Sequence, residues 1–429
     1  MTASTLGSIL KHGAVALTLA GIAAASTAQT AAPAYWSPSW MASTQPLWGG
    51  DFVLPTGLPF QFNRQTIRQV ARLSIGGAKL RVMISNEGGT TPLYIGAARV
   101  ARHAEGSAIV EGTDRPLRFG GQANVTLPPG ARLVSDPVDL PLPALSEVTV
   151  SLYLPKPSQP AGFHFDARQT AYVVDGDLTG APRLPAAATP WSTRVYVSGL
   201  IVETPKPPTT VVALGDSLTD GNGSTPGANT RWPDALVERL AGRGVGVLNA
   251  GISGGRLMKD GKGRAGLERA GRDVFAQPGV RAVIVLLGTN DIGWPGDPFA
   301  PQEPAMRAED LIQGFRQLIE MAHAHNVRIV AGTIAPNERG LEGTGLEGTG
   351  LEGHHSPEKD KVRQAVNRWI RESGAFDAVV DFDALLRDPA RPIRMKAAMD
   401  SGDHLHPGDA GYQAMAAAIN LEALLGDLR

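Results

Sequence analysis

The run Val211-Val212-Ala213-Leu214 passes without a break into Gly215-Asp216-Ser217-Leu218-Thr219-Asp220-Gly221. Four apolar residues followed by turn formers read as a buried strand that ends sharply and presents one hydroxyl. A serine placed there has a rigid strand behind it and a backbone N–H able to donate toward a developing oxyanion. A serine alone is a poor nucleophile and needs a base and an acid that orients the base. Near the far end of the chain, Asp403-His404-Leu405-His406-Pro407 offers both.

The pattern around this stretch is an alternation. Short apolar runs at 245–248, 283–287, 329–331 and 379–382 predict strands. Helical periodicity fills about 232–241, 308–324, 359–373 and 409–425. Strands alternating with helices predict an α/β fold, a parallel sheet covered on both faces to give three layers. In such sheets chemistry sits beyond the C-terminal ends of the strands. Gly215-Asp216-Ser217, the loop 249–255 and Gly288-Thr289-Asn290-Asp291 each follow a strand directly, so three polar loops should converge on one rim.

Upstream the pattern differs. Thr204-Pro205-Lys206-Pro207-Pro208-Thr209-Thr210 is a stiff linker. It separates residues 211–429 from 35–203. In the earlier part Leu80, Val82 and Ile84 alternate with Arg81, Met83 and Ser85. Val148, Val150, Leu152 and Leu154 alternate with Thr149, Ser151 and Tyr153, and Val195, Val197 and Ile201 end the series. Period-two patterning broken by Gly76-Gly77, Gly88-Gly89 and Pro128-Pro129-Gly130 predicts an antiparallel, jelly-roll-like β-sandwich. Trp36, Trp40 and Trp48 either pack into this sandwich and its seam or form a platform for sugar rings.

The first residues form a third kind of segment. Lys11 and His12 precede an apolar run at 14–25, too short to span a bilayer comfortably, and Ser26-Thr27-Ala28 supplies small residues for cleavage. Residues 1–28 are read as a secretory leader of a protein bound for the periplasm or the medium, with no stable membrane insertion once the leader is removed. There are no cysteines, so lipid anchoring on cysteine, disulfides and thiolate metal sites are excluded. A net charge of −1 gives no electrostatic footprint for nucleic acid. Within the later domain, Leu-Glu-Gly-Thr-Gly repeats through 340–353 cannot build a core. They read as a flexible insertion, or as a lid because they follow a strand end.

Four motifs in order give these residues a family likeness. Gly215-Asp216-Ser217-Leu218, Asn249-Ala250-Gly251-Ile252-Ser253-Gly254, Gly288-Thr289-Asn290-Asp291 and Asp403-His404-Leu405-His406 resemble the four blocks of the GDSL, or SGNH, hydrolases. More loosely, Trp36-Ser37-Pro38-Ser39-Trp40, Thr66-Ile67-Arg68-Gln69 and 81–87 resemble the β module that precedes this domain in some secreted bacterial members. The resemblance implies a carboxylic ester hydrolase with Ser217 as nucleophile, His406 as base and Asp403 as its orienting acid. It implies an oxyanion hole from the Ser217 and Gly254 N–H groups and the Asn290 amide. It implies neither cofactor nor metal, and a small-molecule or polysaccharide ester as substrate. Secretion and the fused β module point to carbohydrate O-deacetylation, with a lipase, lysophospholipase or general aryl or carboxylesterase as the alternative.

Other readings remain open on the residues themselves. Gly251-Ile252-Ser253-Gly254-Gly255 fits a G-x-S-x-G nucleophile elbow, which would make Ser253 the nucleophile but leave Gly-Asp-Ser and Gly-Thr-Asn-Asp without a purpose. His404 competes with His406 as base. His404, His406 and Asp403, or His354-His355, could hold a metal, although no further ligand cluster accompanies them. Asp216 is read as fixing the turn by hydrogen bonding. An inactive carbohydrate-binding protein on a hydrolase fold is the reading from another class.

Overall fold

The computed structural model describes residues 34–426, apart from 50, 51, 53, 55, 161 and 343–353. The leader at 1–28 and the repeats beyond Glu342 lie outside the described residues. No described helix is long and apolar enough to cross a membrane.

The parallel sheet holds five strands in the order Val245–Gly251, Thr209–Gly215, Val280–Leu286, Arg328–Gly332, Ala378–Val380. Every neighbouring pair is parallel. The strand that leads to Ser217 is an interior strand, second from the edge, and both faces are covered. Val211 and Ala213 face a core with Leu236, Tyr412 and Met415. Val212 and Leu214 face a second core with Leu311, Phe315 and Ile329. Two buried faces explain why this strand reads as a continuous apolar run, without alternation. The second strand in sequence lies on one side of the first, and the third lies on the other. The crevice at that change of direction is the place where doubly wound sheets hold ligands.

The helices follow the sequence pattern with local corrections. Trp232–Leu240, Ala308–Ala324 and Pro357–Glu372 lie where periodicity put them. The single helix expected at 409–425 is two, Asp409–Ala418 and Leu421–Leu425. Asn420 breaks it by accepting the Glu422 and Ala423 N–H groups as an N-cap. Phe382 belongs to no strand: Asp381 caps a short helix, Phe382–Leu386, that starts there.

No helix is found among the described residues before Ser217. Two antiparallel sheets pack there instead. One runs Tyr35–Met41, Val197–Thr204, Gly77–Ser85, Val138–Leu142. The other runs Thr189–Trp191, Ala171–Asp175, Gln65–Arg72, Glu147–Leu154, Ala97–Arg102, Arg115–Pro116. Leu80, Val82, Ile84, Val148, Val150, Leu152 and Leu154 share the core between them, as the alternation predicts. Thr149 and Ser151 on the opposite face are also buried, because a loop layer covers that side. Arg68 holds it, donating to Ser151 Oγ and to the carbonyls of Ser107, Leu178, Thr179 and Ala181. Such a buried cation is tolerable only with its donors filled.

Sandwich and parallel sheet are in direct contact. Tyr35–Met41 packs on Val245–Gly251, so closely that a Cβ at Gly246 would stand 2.6 Å from the Pro38 carbonyl oxygen. The tryptophans form no open platform. Trp36 lies under Arg81 and Trp40 under Arg194. Trp48 sits in the seam against Phe163 and Phe165, its Nε1–H donating to the Lys262 carbonyl at 2.7 Å.

Candidate active site

Ser217 opens a single helical turn, Ser217–Asp220, at the end of the strand Thr209–Gly215. Asp216 is its N-cap, with Oδ1 accepting the Leu218 N–H at 3.0 Å. Gly221, at φ 107°, closes it by donating to the Ser217 carbonyl. Tightness excludes a side chain before the turn: a Cβ at Gly215 would stand 2.0 Å from Thr219 Oγ1 and 2.9 Å from the Leu286 carbonyl oxygen. Burial pushes the Asp216 carboxyl up to about 7, against the pull of the Leu218 N–H. The Ser217 N–H, first in its turn, has no acceptor among the described residues. First-turn N–H groups lack intrahelical partners by construction.

The loop between Met395 and Asp409 brings the other groups. Asp403 Oδ1 accepts the Leu405 and His406 N–H groups at 3.0 and 2.8 Å, which folds the segment back on itself. His404 takes a left-handed φ of 61° inside this turn. The His406 ring then lies between its partners. Nδ1 is 2.6 Å from Asp403 Oδ2 and Nε2 is 2.8 Å from Ser217 Oγ. A carboxylate can only accept, so Nδ1 carries the proton and Nε2 accepts from the serine hydroxyl. Burial works to raise the Asp403 carboxyl. The His406 ring and the two backbone N–H groups outweigh it and hold the carboxyl well below the usual range. Asp403 thus stays charged opposite an imidazole that can take up a proton.

Gly254 and Asn290 line the same cavity as Ser217. The Gly254 N–H has no acceptor among the described residues. Its φ of 72° and its surroundings demand glycine: a Cβ would stand 2.6 Å from Lys262 Cδ and 2.9 Å from Trp294 Cζ2. Asn290 spends one amide N–H on the Gly255 carbonyl at 3.0 Å, which leaves the second for a ligand. Asp291 clamps the same loop through the Leu257 and Met258 N–H groups, at 2.8 and 2.9 Å.

The competing sequence readings separate by distance. Ser253 lies on the cavity wall, but its hydroxyl accepts from Asn222 Nδ2 at 3.2 Å and no imidazole bonds it among the described residues. His404 is held by Asp400, with Nδ1 2.6 Å from Oδ2, and does not reach Ser217. His354 is buried on the cavity wall with Nδ1 3.7 Å from Asp297. No cluster of three or more candidate metal ligands occurs among the described residues.

Four residues essential to this geometry carried no sequence signal. Arg269 is buried and donates to the carbonyls of Gly215 and Ala250, tying together the ends of two parallel strands, while Asp273 lies 3.1 Å away. Asp220, the last residue of the serine turn, accepts the Ser253 N–H through Oδ2 at 3.1 Å. Its Oδ1 is 2.9 Å from Nε2 of His164, a sandwich residue. His164 Nδ1 faces the Ser43 carbonyl at 2.9 Å. Both ring nitrogens therefore face oxygens that accept, an arrangement that favours the imidazolium. Burial favours the neutral ring, but the charge and hydrogen bond of Asp220 outweigh it and raise the His164 pKa. The fourth, Lys262, reaches the cavity from the loop after Gly254. Alternation and motif spacing cannot flag such residues, because each is defined by a partner far away in sequence.

Residues 213–414 match the model of the GDSL-like Lipase/Acylhydrolase family. This part of the chain is a GDSL-like lipase/acylhydrolase domain, and the protein is a carboxylic ester hydrolase. Solved structures similar to it include a carbohydrate acetylesterase family member from Sinorhizobium meliloti, at 18% identity over 51% of this chain and 99% of that one, TM-score 0.39. The M. smegmatis aryl esterase is 16% identical over 51% and 100%, TM-score 0.38. A GDSL-like lipase from Bacteroides thetaiotaomicron VPI-5482 is 16% identical over 50% and 87%, TM-score 0.35. No curated protein matches the chain.

The His164–Asp220 pair gives a signed expectation. A raised imidazole pKa contributes its full stability below the unfolded value, about 6.5, and loses it as pH rises through the folded value. His164→Gln should lower stability most near pH 6, by about 3 kcal/mol for one member of a buried pair. Thermal melts from about pH 6 to about pH 9 should show the gap to the unsubstituted protein narrowing. A gap that stays constant would mean that the ring is neutral throughout.

Proposed function

We propose that the protein is an exported serine esterase that removes short acyl groups, acetyl above all, from carbohydrate hydroxyls. The carrying observation is the chain of two short hydrogen bonds from Ser217 through His406 to Asp403. In this reading Ser217 attacks the ester carbonyl while Nε2 of His406 takes its proton. Asp403 stabilises the imidazolium, which then returns the proton to the leaving alcohol. Water, activated by the same ring, releases the acid from Ser217. The tetrahedral oxyanion lies against the Ser217 and Gly254 N–H groups and the second N–H of Asn290.

The cavity supports the choice of substrate. Its volume is about 290 Å³, at the low end of the roughly 300–1,000 Å³ usual for small-ligand sites. Polar side chains make up much of its wall, among them Asp166, Arg168, Asn222 and Lys262. The polar groups on that wall would go unpaired against a long acyl chain, a cost that a short acyl group and a sugar avoid. Export rests on the leader-like sequence at 14–28.

Three measurements test this. A fluorophosphonate probe should label the protein, lose its target in Ser217→Ala and keep it in Ser253→Ala; the reverse pattern would move the nucleophile to Ser253. p-Nitrophenyl acetate should be cleaved far faster than the octanoate, and a preference for octanoate would replace the carbohydrate reading with a lipid ester one. Asn290→Ala should lower kcat by roughly 10²–10³ with little change in KM, since the oxyanion exists mainly past the ground state. An unchanged kcat would remove Asn290 from the oxyanion hole.

A further inference from the structure

The ester chemistry leaves one cation of the cavity without a task. Lys262 is only 8% exposed. Its main chain is pinned from the sandwich, where Gln45 and Trp48 both donate to its carbonyl, at 3.0 and 2.7 Å. Its stem crosses Gly254. Its ammonium lies 5.2, 5.3 and 5.8 Å from the ring centres of Phe299, Phe165 and Trp48.

Those rings crowd the ammonium where it reaches the cavity but give it little in return. At 5–6 Å a cation–π contact is near the limit of its range, and a ring face does not satisfy three N–H donors. Among the described residues no oxygen lies within hydrogen-bond or ion-pair distance of Nζ. The nearby carboxylates are committed elsewhere: Asp166 to Arg168 at 3.4 Å, Asp220 to His164 and the Ser253 N–H. Burial without a partner lowers the Lys262 pKa to about 8, so the group is still mainly charged at neutral pH. A buried, unmatched cation is costly. The cost is recovered when an anion enters the cavity.

We propose that Lys262 recognises a carboxylate on the alcohol half of the substrate, so that the preferred ester is an acylated acidic sugar of the uronate type. The inference rests on the carbohydrate reading above and narrows it. With Ser217 and Lys262 on walls of one cavity of about 290 Å³, acyl group and carboxylate belong to the same or an adjacent ring. Lys262 comes from the hydrolase domain, but Trp48 and Phe165, two of the rings around it, come from the sandwich. Fusion of the sandwich thereby acquires a role in selecting substrate.

Binding to the Ser217→Ala protein separates recognition from turnover. Titration calorimetry at low ionic strength should show methyl α-galacturonoside binding at least about tenfold tighter than methyl α-galactoside, about 1.4 kcal/mol. Added salt should shrink the difference. Lys262→Met should abolish it and Lys262→Arg should keep part of it. Equal binding of the two glycosides, binding of neither, or a preference that survives Lys262→Met would overturn the proposal. If Lys262→Met fails to fold, the methyl ester of the galacturonoside, which lacks the charge, decides: binding as tight as the free acid overturns it. Probe labelling and p-nitrophenyl acetate turnover of the unsubstituted protein report separately on the esterase reading. An active esterase without uronide preference refutes the Lys262 assignment alone. Uronide binding by a protein that neither labels nor turns over refutes the esterase and leaves the anion site standing.

Discussion

The buried pair of His164 and Asp220 is the contact through which the two halves of the molecule depend on each other. Asp220 ends the turn that Ser217 begins, and its second oxygen holds the Ser253 N–H beside Gly254. Removing the charge on either side would leave the other buried and unmatched. A sandwich residue therefore stands two hydrogen bonds away from the loop carrying a proposed oxyanion donor. The seam is polar elsewhere too, with Asn229 donating to Glu147 and Gln169 to Asn229. Polar contacts of this kind fix relative orientation better than an apolar interface, because each demands one geometry.

The same rule shapes the rim of the parallel sheet. Chain ends there are buried, and each carbonyl or N–H that leaves the ladder needs a new partner. Arg269 serves two strand ends, Asp291 serves the loop at 257–258, and Asp216 serves the serine turn. Among the described residues, the N–H of Ser217, the N–H of Gly254, one N–H of Asn290 and the ammonium of Lys262 are without an acceptor on the cavity wall, while Nε of Arg256 and of Arg269 is unpartnered behind it. Three of the donors on the wall suit an oxyanion, and the fourth suits a fixed negative charge.

Much of this was legible in the residues. The run at 211–214 announced a strand buried on both faces, and alternation in 80–85 and 148–154 announced the sandwich core. The resemblance of four motifs implied Ser217, Asp403 and His406 as partners across nearly the whole length of the domain, and the structure brings them within hydrogen-bond distance. Boundaries failed where a side chain acted on the backbone: Asn420 interrupts a pattern that periodicity alone continues, and Asp381 starts a helix where the apolar run predicts a strand. The alternation at 148–154 does not reveal that Thr149 and Ser151 are buried too, because it cannot foresee a loop layer on the outer side.

Sequence by itself determined the fold class and the chemical set: a parallel α/β domain behind an antiparallel sandwich, with a serine, a histidine and an aspartate in the right order. The fold class follows from local periodicity and turn chemistry, which act over a few residues; the chemical set is what the resemblance of four motifs to a known family implies. The resemblance already implied His406 as the base; the tertiary structure shows what holds each ring, since His404 faces Asp400 and His406 faces Asp403. The tertiary structure alone joined His164 to Asp220 and surrounded Lys262 with Trp48, Phe165 and Phe299. Pairings between distant residues depend on how two domains close on each other, and a hydrogen bond of under 3 Å is set by that closure rather than by any pattern along the chain.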